Sequence, residues 1–316
     1  MASPVEEHLK VAHYYYQRNL SAAEIAARLS LPLSRVQRLL RECVENGLVE
    51  VTIQGFSQSL AALEAELAEA LQLKEVVIAE VPEHEDALDV IAGAANRTLQ
   101  KVLRDGSTIG LSHGRAVANT VARMLPCDRF RRLTVTRLVG ALGNTTLTIP
   151  SDDIARICAD KLGANINLLF APIILKNAHL RRALMEEPLL QEAFQVMSGT
   201  DIALLGIGGV EFEENPMLRE SLCPEDYEKL TSSGAVGEIC THYFNREGRG
   251  VGGSLGRHAI AIEEKALKAI PSRIGIAGGM EKAAAILGAC RGRYINILVT
   301  DAPTARALLR LKGTEA

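Results

Sequence analysis

GLSHGRAVANTVARML, residues 110–125, reads as strand, turn and helix in succession. Thr108–Leu111 suits a buried strand, and from Arg115 onward apolar residues recur at helical spacing. Between them lies the small-residue turn Ser112-His113-Gly114, followed by an arginine. A phosphate placed there would meet the free amides of the helix start, the Ser112 hydroxyl and the Arg115 guanidinium. Gly114 would let the backbone come close to it. The same residues also suit an ordinary strand-to-helix turn with an exposed arginine. By themselves they do not separate an enzyme's phosphate pocket from that of a sensor.

Outward from this turn the pattern repeats. Apolar strands are expected at 75–79, 108–111, 133–139, 166–170, 202–207, 259–262, 273–277 and 294–299. Helices are expected at 86–104, 115–125, 152–162, 178–197, 263–270, 281–289 and 303–311. Strands this apolar are buried on both faces, which predicts a doubly wound α/β domain with a parallel sheet and helices on both sides. Ligands then bind at the strand ends. Three more turns are placed there: LVGALGNT (138–145) with Gly140, Gly143 and Asn144, SSGAVGEIC (232–240) with Glu238, and GIAGGMEKAAAI (275–286) with Lys282. Arg115 and Lys282 can neutralise a phosphate, while Ser112, Asn144 and Glu238 can bind hydroxyls. That inventory suits a sugar phosphate. A dinucleotide fits less well: in LLGIGGVE (204–211) the third glycine of G-x-G-x-x-G falls on Glu211, and GRGVGG (248–253) follows a polar loop. No cofactor is expected.

Residues 5–50 read as helices up to a stop at Asn46-Gly47, with LVEVTI (48–53) as a small strand after it. The first helix has Val5, Leu9 and Ala12 on one face, and Ser21-Ala22-Ala23-Glu24 has the capping-box pattern. Ile25, Ala26 and Leu29 line the second helix; Val36, Leu39, Leu40, Cys43 and Val44 line the third. Residues 20–41 have helix-turn-helix proportions, with Ser30 where a glycine is usual and Pro32 at the start of the third helix. The other side of that helix carries Ser34, Arg35, Gln37, Arg38 and Arg41, types that suit base edges and phosphates. Residues 1–56 are neutral by count, yet 31–41 hold three arginines and no acid. A plain three-helix bundle with a solvated arginine face has the same pattern. In SQSLAALEAELAEALQL (57–73), Leu60, Leu63 and Leu67 step by 3 and 4. That fits either an oligomerisation helix or a helix packed on its own domain.

The organisation expected is therefore a helix-turn-helix domain over 1–56, a helical connector over 57–73 and an effector domain over 74–316. The bulk numbers agree. A chain of 316 residues, 47% hydrophobic, can bury a sizeable core, and a net charge of −3 confines any nucleic-acid contact to a local patch. Six cysteines without a C-x-x-C pair read as reduced thiols of a cytoplasmic protein. The start, MASPVEEHLK, lacks the apolar run of a signal peptide, and no apolar stretch is long enough to span a membrane. Histidine spacing gives no support for a metal site.

With these residues in place the chain resembles the SorC-type family of bacterial sugar-responsive transcription regulators. The resemblance covers nearly the whole length: the helix-turn-helix at 20–41, GLSHGR, DIALLGIGG, GAVGEIC followed by YFNREGR, IAGGMEKAAAILGA and RYINILVTD. It implies operator DNA as a partner and a C-terminal domain similar to glucosamine-6-phosphate deaminase and ribose-5-phosphate isomerase. It also implies a phosphorylated sugar or polyol effector and a homo-oligomer, typically a tetramer. Carried over by position, Ser112, Gly114 and Arg115 match the family's phosphate loop, and Glu238 and Lys282 match residues that face the effector. The family commonly has an aromatic where this chain has His113. Some relatives hold an aldehyde effector through a lysine near RLVGALG; this chain has none there, and Arg137 forms no Schiff base, so binding is expected to be reversible. Sensing is favoured over an isomerase-like or deaminase-like enzyme, which would need a placed acid and base. Glu238 and His113 are the residues that could supply them.

Overall fold

Ser21 closes a complete capping box: its Oγ accepts the Glu24 N–H at 3.3 Å, and Glu24 Oε2 accepts the Ser21 N–H at 2.8 Å. The structure, a computed structural model, describes residues 4–45, 48–49, 59–141, 151–210, 224–253 and 258–313. It divides into two compact units, Met1–Ser57 and Gln58–Ala316.

The first unit holds α1 (Pro4–Ala12), continued by a π-helical turn His13–Gln17, then α2 (Ala22–Leu29) and α3 (Leu33–Glu45). Ser30 ends α2 in the left-handed region at φ 53°, which is why glycine is usual there, and its N–H serves the carbonyls of Ala26 and Ala27. Val11, Ile25, Val36 and Leu39 form the core, with Leu20, Ala26, Leu29 and Leu40 against it. Of the face expected on α1, Ala12 is buried but Leu9 is 52% exposed, and Val11 of the adjacent stripe is buried instead. Helical spacing fixes the angle between residues but not which of two adjacent stripes meets the neighbouring helices. The expected stop at Asn46-Gly47 and most of the strand at 48–53 lie outside the described residues.

Among the described residues the second unit has ten strands. In chain order they are β1 (Glu75–Ala79), β2 (Thr108–Leu111), β3 (Thr134–Arg137), β4 (Asn165–Asn167) and β5 (Ile202–Gly206). Then come β6 (Gly208–Gly209), β7 (Ala235–Ile239), β8 (His242–Asn245), β9 (Ser272–Ile276) and β10 (Ile297–Asp301). Seven form one parallel sheet in the order β1-β10-β9-β5-β2-β3-β4, and β6-β7-β8 form a small antiparallel sheet. On β5 the side chains alternate between two cores, Ala203 and Leu205 in one and Ile202 and Leu204 in the other. The second of these cores takes side chains of α5 (Ala87–Val102), α6 (Arg115–Ala122) and α7 (Ser151–Leu162). The first takes those of α4 (Leu60–Leu71), of the later helices α12 (Ala283–Arg291) and α13 (Ala302–Gly313), and of the small sheet.

Helix α4 belongs to this second unit. Leu67 and Leu71 are buried in its core, with Leu60 and Leu63 packed against it. Of the two readings of its spacing, Leu67 therefore follows packing on its own domain. Glu64 faces the sheet as well, and its Oε1 accepts the Ile78 N–H at 2.7 Å on edge strand β1.

Three expected elements differ. The helix over 178–197 is two, α8 (Ala178–Met185) and α9 (Pro188–Ser198), because Pro188 cannot continue a helix but suits the first turn of the next. The strand at 259–262 makes only isolated bridges, Ala259 to Ile174 and Ala261 to Val139. SSGAVGEIC is not a strand-end turn: α10 (Pro224–Ser232) precedes it and Ala235–Ile239 is β7 itself. The remaining helix, α11 (Glu264–Ala269), lies where 263–270 predicted one.

Candidate functional site

From the middle of the large sheet the chain order runs outward both ways. β2, β3 and β4 lie to one side; β5, β9 and β10 lie to the other. β2 and β5 are parallel neighbours, so the loops that leave their carboxyl ends diverge and open a crevice at this switch point. Ser112-His113-Gly114 leaves β2 here, and Ile207 with Gly208 leaves β5.

Ser112 ties the two loops together. Its Oγ accepts the Gly206 N–H at 2.9 Å and donates to the His113 carbonyl at 3.2 Å. Gly114 stands at φ 110° and caps α6 without a side chain. The Ala118 N–H donates to Gly114 O at 3.0 Å, which leaves the amides before it to an outside acceptor. Arg115, the first residue of α6, is exposed.

His113 and Glu238 are brought together from sites 125 residues apart. Nε2 of His113 lies 3.2 Å from Oε1 of Glu238, with side-chain exposures of 9% and 4%. Oε2 of Glu238 accepts the Thr241 N–H at 3.1 Å. Tyr243 stands opposite Glu238 in the β7–β8 ladder. Burial, reinforced by the Glu238 charge, pushes the Tyr243 phenol and the Cys240 thiol up, so both stay protonated. Lys282 reaches the same place, its Nζ 3.4 Å from the Ile207 carbonyl. Ser112, His113, Glu238 and Lys282 thus converge on residues 206–208.

The glycines of LLGIGG explain the convergence. A Cβ on Gly206 would lie 3.0 Å from the His113 carbonyl, and one on Gly208 would lie 2.7 Å from Glu238 Oε1. They admit a neighbouring loop and a carboxylate. Gly206, Gly208, Thr241 and Tyr243 were not among the expected site residues; the G-x-G-G pattern was the signal that could have found the first two.

Other expected residues do not join them. Gly140 is buried, its N–H donates to the Ile260 carbonyl and its own carbonyl accepts from Arg137, so it offers a ligand no free donor. Its tight fit against Ala171 and Pro172 is the reason for a glycine there. Gly143 and Asn144 lie outside the described residues. Arg137 is buried and spans to Gly140 O at 2.7 Å.

In the first unit, Ser34, Arg35, Gln37, Arg38 and Arg41 of α3 are all exposed. Arg35 is engaged: its Nη2 donates to Glu7 Oε2 of α1 at 2.7 Å, and that hydrogen bond lowers the Glu7 carboxyl from its ordinary value. Arg38 Nε lies 3.5 Å from Glu42 Oε1 one turn along, an exposed pair that holds its guanidinium weakly.

Residues 57–310 match the family model described as "Putative sugar-binding domain". The chain belongs to this sugar-binding domain family. Residues 16–52 match the IclR helix-turn-helix domain, which covers α2 and α3. The sorbitol operon regulator of Klebsiella pneumoniae is 28% identical over 305 residues, 96% of this chain and 97% of the relative. Transcriptional regulator LsrR of Escherichia coli (strain K12 / DH10B) is 29% identical over 311 residues, 96% of this chain and 95% of the relative. The deoxyribonucleoside regulator of Bacillus subtilis (strain 168) is 26% identical, over 95% of this chain and 96% of the relative. The crystal structure of the full-length sorbitol operon regulator SorC from Klebsiella pneumoniae superposes with a TM-score of 0.75 at 28% identity, covering 98% of this chain and 100% of that one. The SorC-type resemblance read from the motifs therefore holds for sequence and fold together. These relatives are named as regulators, which speaks against the enzyme reading of His113 and Glu238. No described helix is long and apolar enough to cross a membrane.

Proposed function

We infer that this member of the sugar-binding domain family is an effector-responsive, DNA-binding transcription regulator of a sugar or polyol operon. The effector is a phosphorylated sugar or polyol. Its phosphate sits on the amides of 113–116 and on Arg115, with Lys282 beside it, and Glu238 serves the hydroxyl end. The observation that carries this reading is the helix start of α6, opened at the switch point of the sheet with the exposed Arg115 in its first turn. Asn144 and Gly143 are assigned to the same site from the sequence. The working form is a cytoplasmic homo-oligomer, a tetramer by resemblance to the SorC type.

Thermal unfolding against a library of sugar phosphates tests it. A specific ligand at 100 times its Kd adds about 2.7 kcal/mol of stability. That raises the melting temperature of a domain this size by roughly 5–10 °C. Unphosphorylated parents at the same concentration leave it unchanged. A library in which no phosphorylated member shifts the transition counts against the reading.

Operator recognition is assigned to Ser34, Arg35, Gln37, Arg38 and Arg41 of α3. Arg38→Ala is the informative variant, because Arg35→Ala also removes the tie to Glu7. If Arg38 meets a base, its loss costs about 1–3 kcal/mol of specific binding at fixed salt. Fluorescence anisotropy reads the affinity, and circular dichroism checks that the helices persist. Unchanged affinity moves the reading surface elsewhere on α3.

A further inference from the structure

One ring nitrogen of His113 has no hydrogen-bond partner among the described residues. It is Nδ1, which is buried. The other, Nε2, faces Glu238 Oε1 at 3.2 Å. A neutral imidazole has one N–H and one lone pair, and an ionised carboxylate only accepts. Glu238 therefore draws the proton to Nε2 and leaves the lone pair on Nδ1. Glu238 cannot swing away freely. Its other oxygen holds the Thr241 N–H, and Gly208 packs against it. Thr241 stands at φ 67° in the tight turn that joins β7 to β8, so the carboxylate is anchored to the hairpin.

A buried lone pair without a donor is unfavourable, and native structures rarely leave one so. This one belongs to the loop that the proposed function assigns to the effector's phosphate. The dianionic phosphoryl group of an ester cannot satisfy it, because it carries no O–H and only accepts. A hydroxyl can.

The geometry points to His113 as the specificity-determining residue of the effector site: Glu238 fixes its tautomer, and its Nδ1 accepts a hydrogen bond from a hydroxyl of the bound phosphate ester. This rests on the effector reading above and narrows it. The ligand is a polyhydroxylated phosphate ester with a hydroxyl close to the phosphate, and the analogue that lacks this hydroxyl is rejected because Nδ1 then stays unpaired. Glu238 serves the hydroxyl end of the ligand by way of His113, as a positioning residue.

Two measurements test it. Nitrogen-15 chemical shifts of the free full-length protein read the tautomer: Nε2 protonated and Nδ1 bare is the expected result. A protonated Nδ1, in the other tautomer or in the imidazolium, overturns the inference. Binding is then measured with inorganic phosphate and with a panel of aldose, ketose and hexitol phosphates. In His113→Gln the amide nitrogen can still serve Glu238 while nothing remains at Nδ1; in His113→Asn a polar atom remains near Nδ1. Expected for His113→Gln is a fall of roughly tenfold or more in the advantage of the best panel member over inorganic phosphate, taken as the ratio of the two affinities in the same variant. His113→Asn keeps part of that advantage, and it decides the matter if the glutamine variant does not fold. An advantage that survives in the folded variants overturns the role of His113 and leaves the phosphate loop standing. Wild-type protein that binds neither phosphate nor any panel member overturns the loop reading itself, and the role of His113 with it.

Discussion

Replacing Arg115 with alanine weakens capture of a phosphorylated effector roughly 10- to 150-fold, the equivalent of one charge-assisted hydrogen bond worth about 1.5–3 kcal/mol. Arg115 is exposed in the first turn of α6, so the substitution opens no cavity and leaves the fold intact. Calorimetry separates this from general damage. The affinity of the unphosphorylated parent, which lacks the group Arg115 neutralises, stays at its wild-type value. Operator affinity without effector also stays, because Arg115 and the α3 arginines belong to different compact units. A variant that binds the phosphate ester like wild type would take the phosphate away from GLSHGR. So would a parent that binds as well as its ester.

Leu67→Ala destabilises the second unit by about 2–5 kcal/mol, the usual cost of emptying a buried leucine site. Leu67 is fully buried and shares its core with Leu71, Val76 and Ile78. Denaturant unfolding reads the loss, and Leu9→Ala is the control: Leu9 is 52% exposed and its loss stays within about 0.5 kcal/mol. The same placement changes how assembly must be tested. A lysine at Leu67 puts an unpaired charge into the core, so a fall in oligomeric mass would report unfolding. Should Leu67→Ala leave stability unchanged while light scattering shows smaller particles, this leucine would be an interface residue after all.

Local chemistry made much of this chain legible. The strand–turn–helix at 108–122 and the capping box at Ser21 are short-range features, written in spacing and residue type, and both are found where the sequence places them. The parallel sheet followed from unbroken apolar runs, since only strands covered on both faces need them. The β7–β8 hairpin was not legible. Its two-residue turn is Cys240-Thr241, at φ 50° and 67°, where glycine or asparagine would have given it away. Gly234 and Gly237 on its approach read as loop residues, yet Gly237 is glycine because Ala285 of α12 packs against it.

The sequence by itself determined the two kinds of unit, the sheet with its flanking helices, and the strand–turn–helix that opens on the start of α6. Each is set by interactions a few residues long: burial period, capping and the free amides of a helix start. Only the tertiary structure decided the rest. Strand order placed β2 beside β5 and so made a crevice of two loops that are 95 residues apart in the chain. The same packing set Glu238 on His113 and took Leu67 into the core. Those contacts join residues whose separation along the chain carries no periodic signal. They exist because burying two faces of one sheet leaves few ways to stack its strands and helices, and the side chains meet where that stacking puts them.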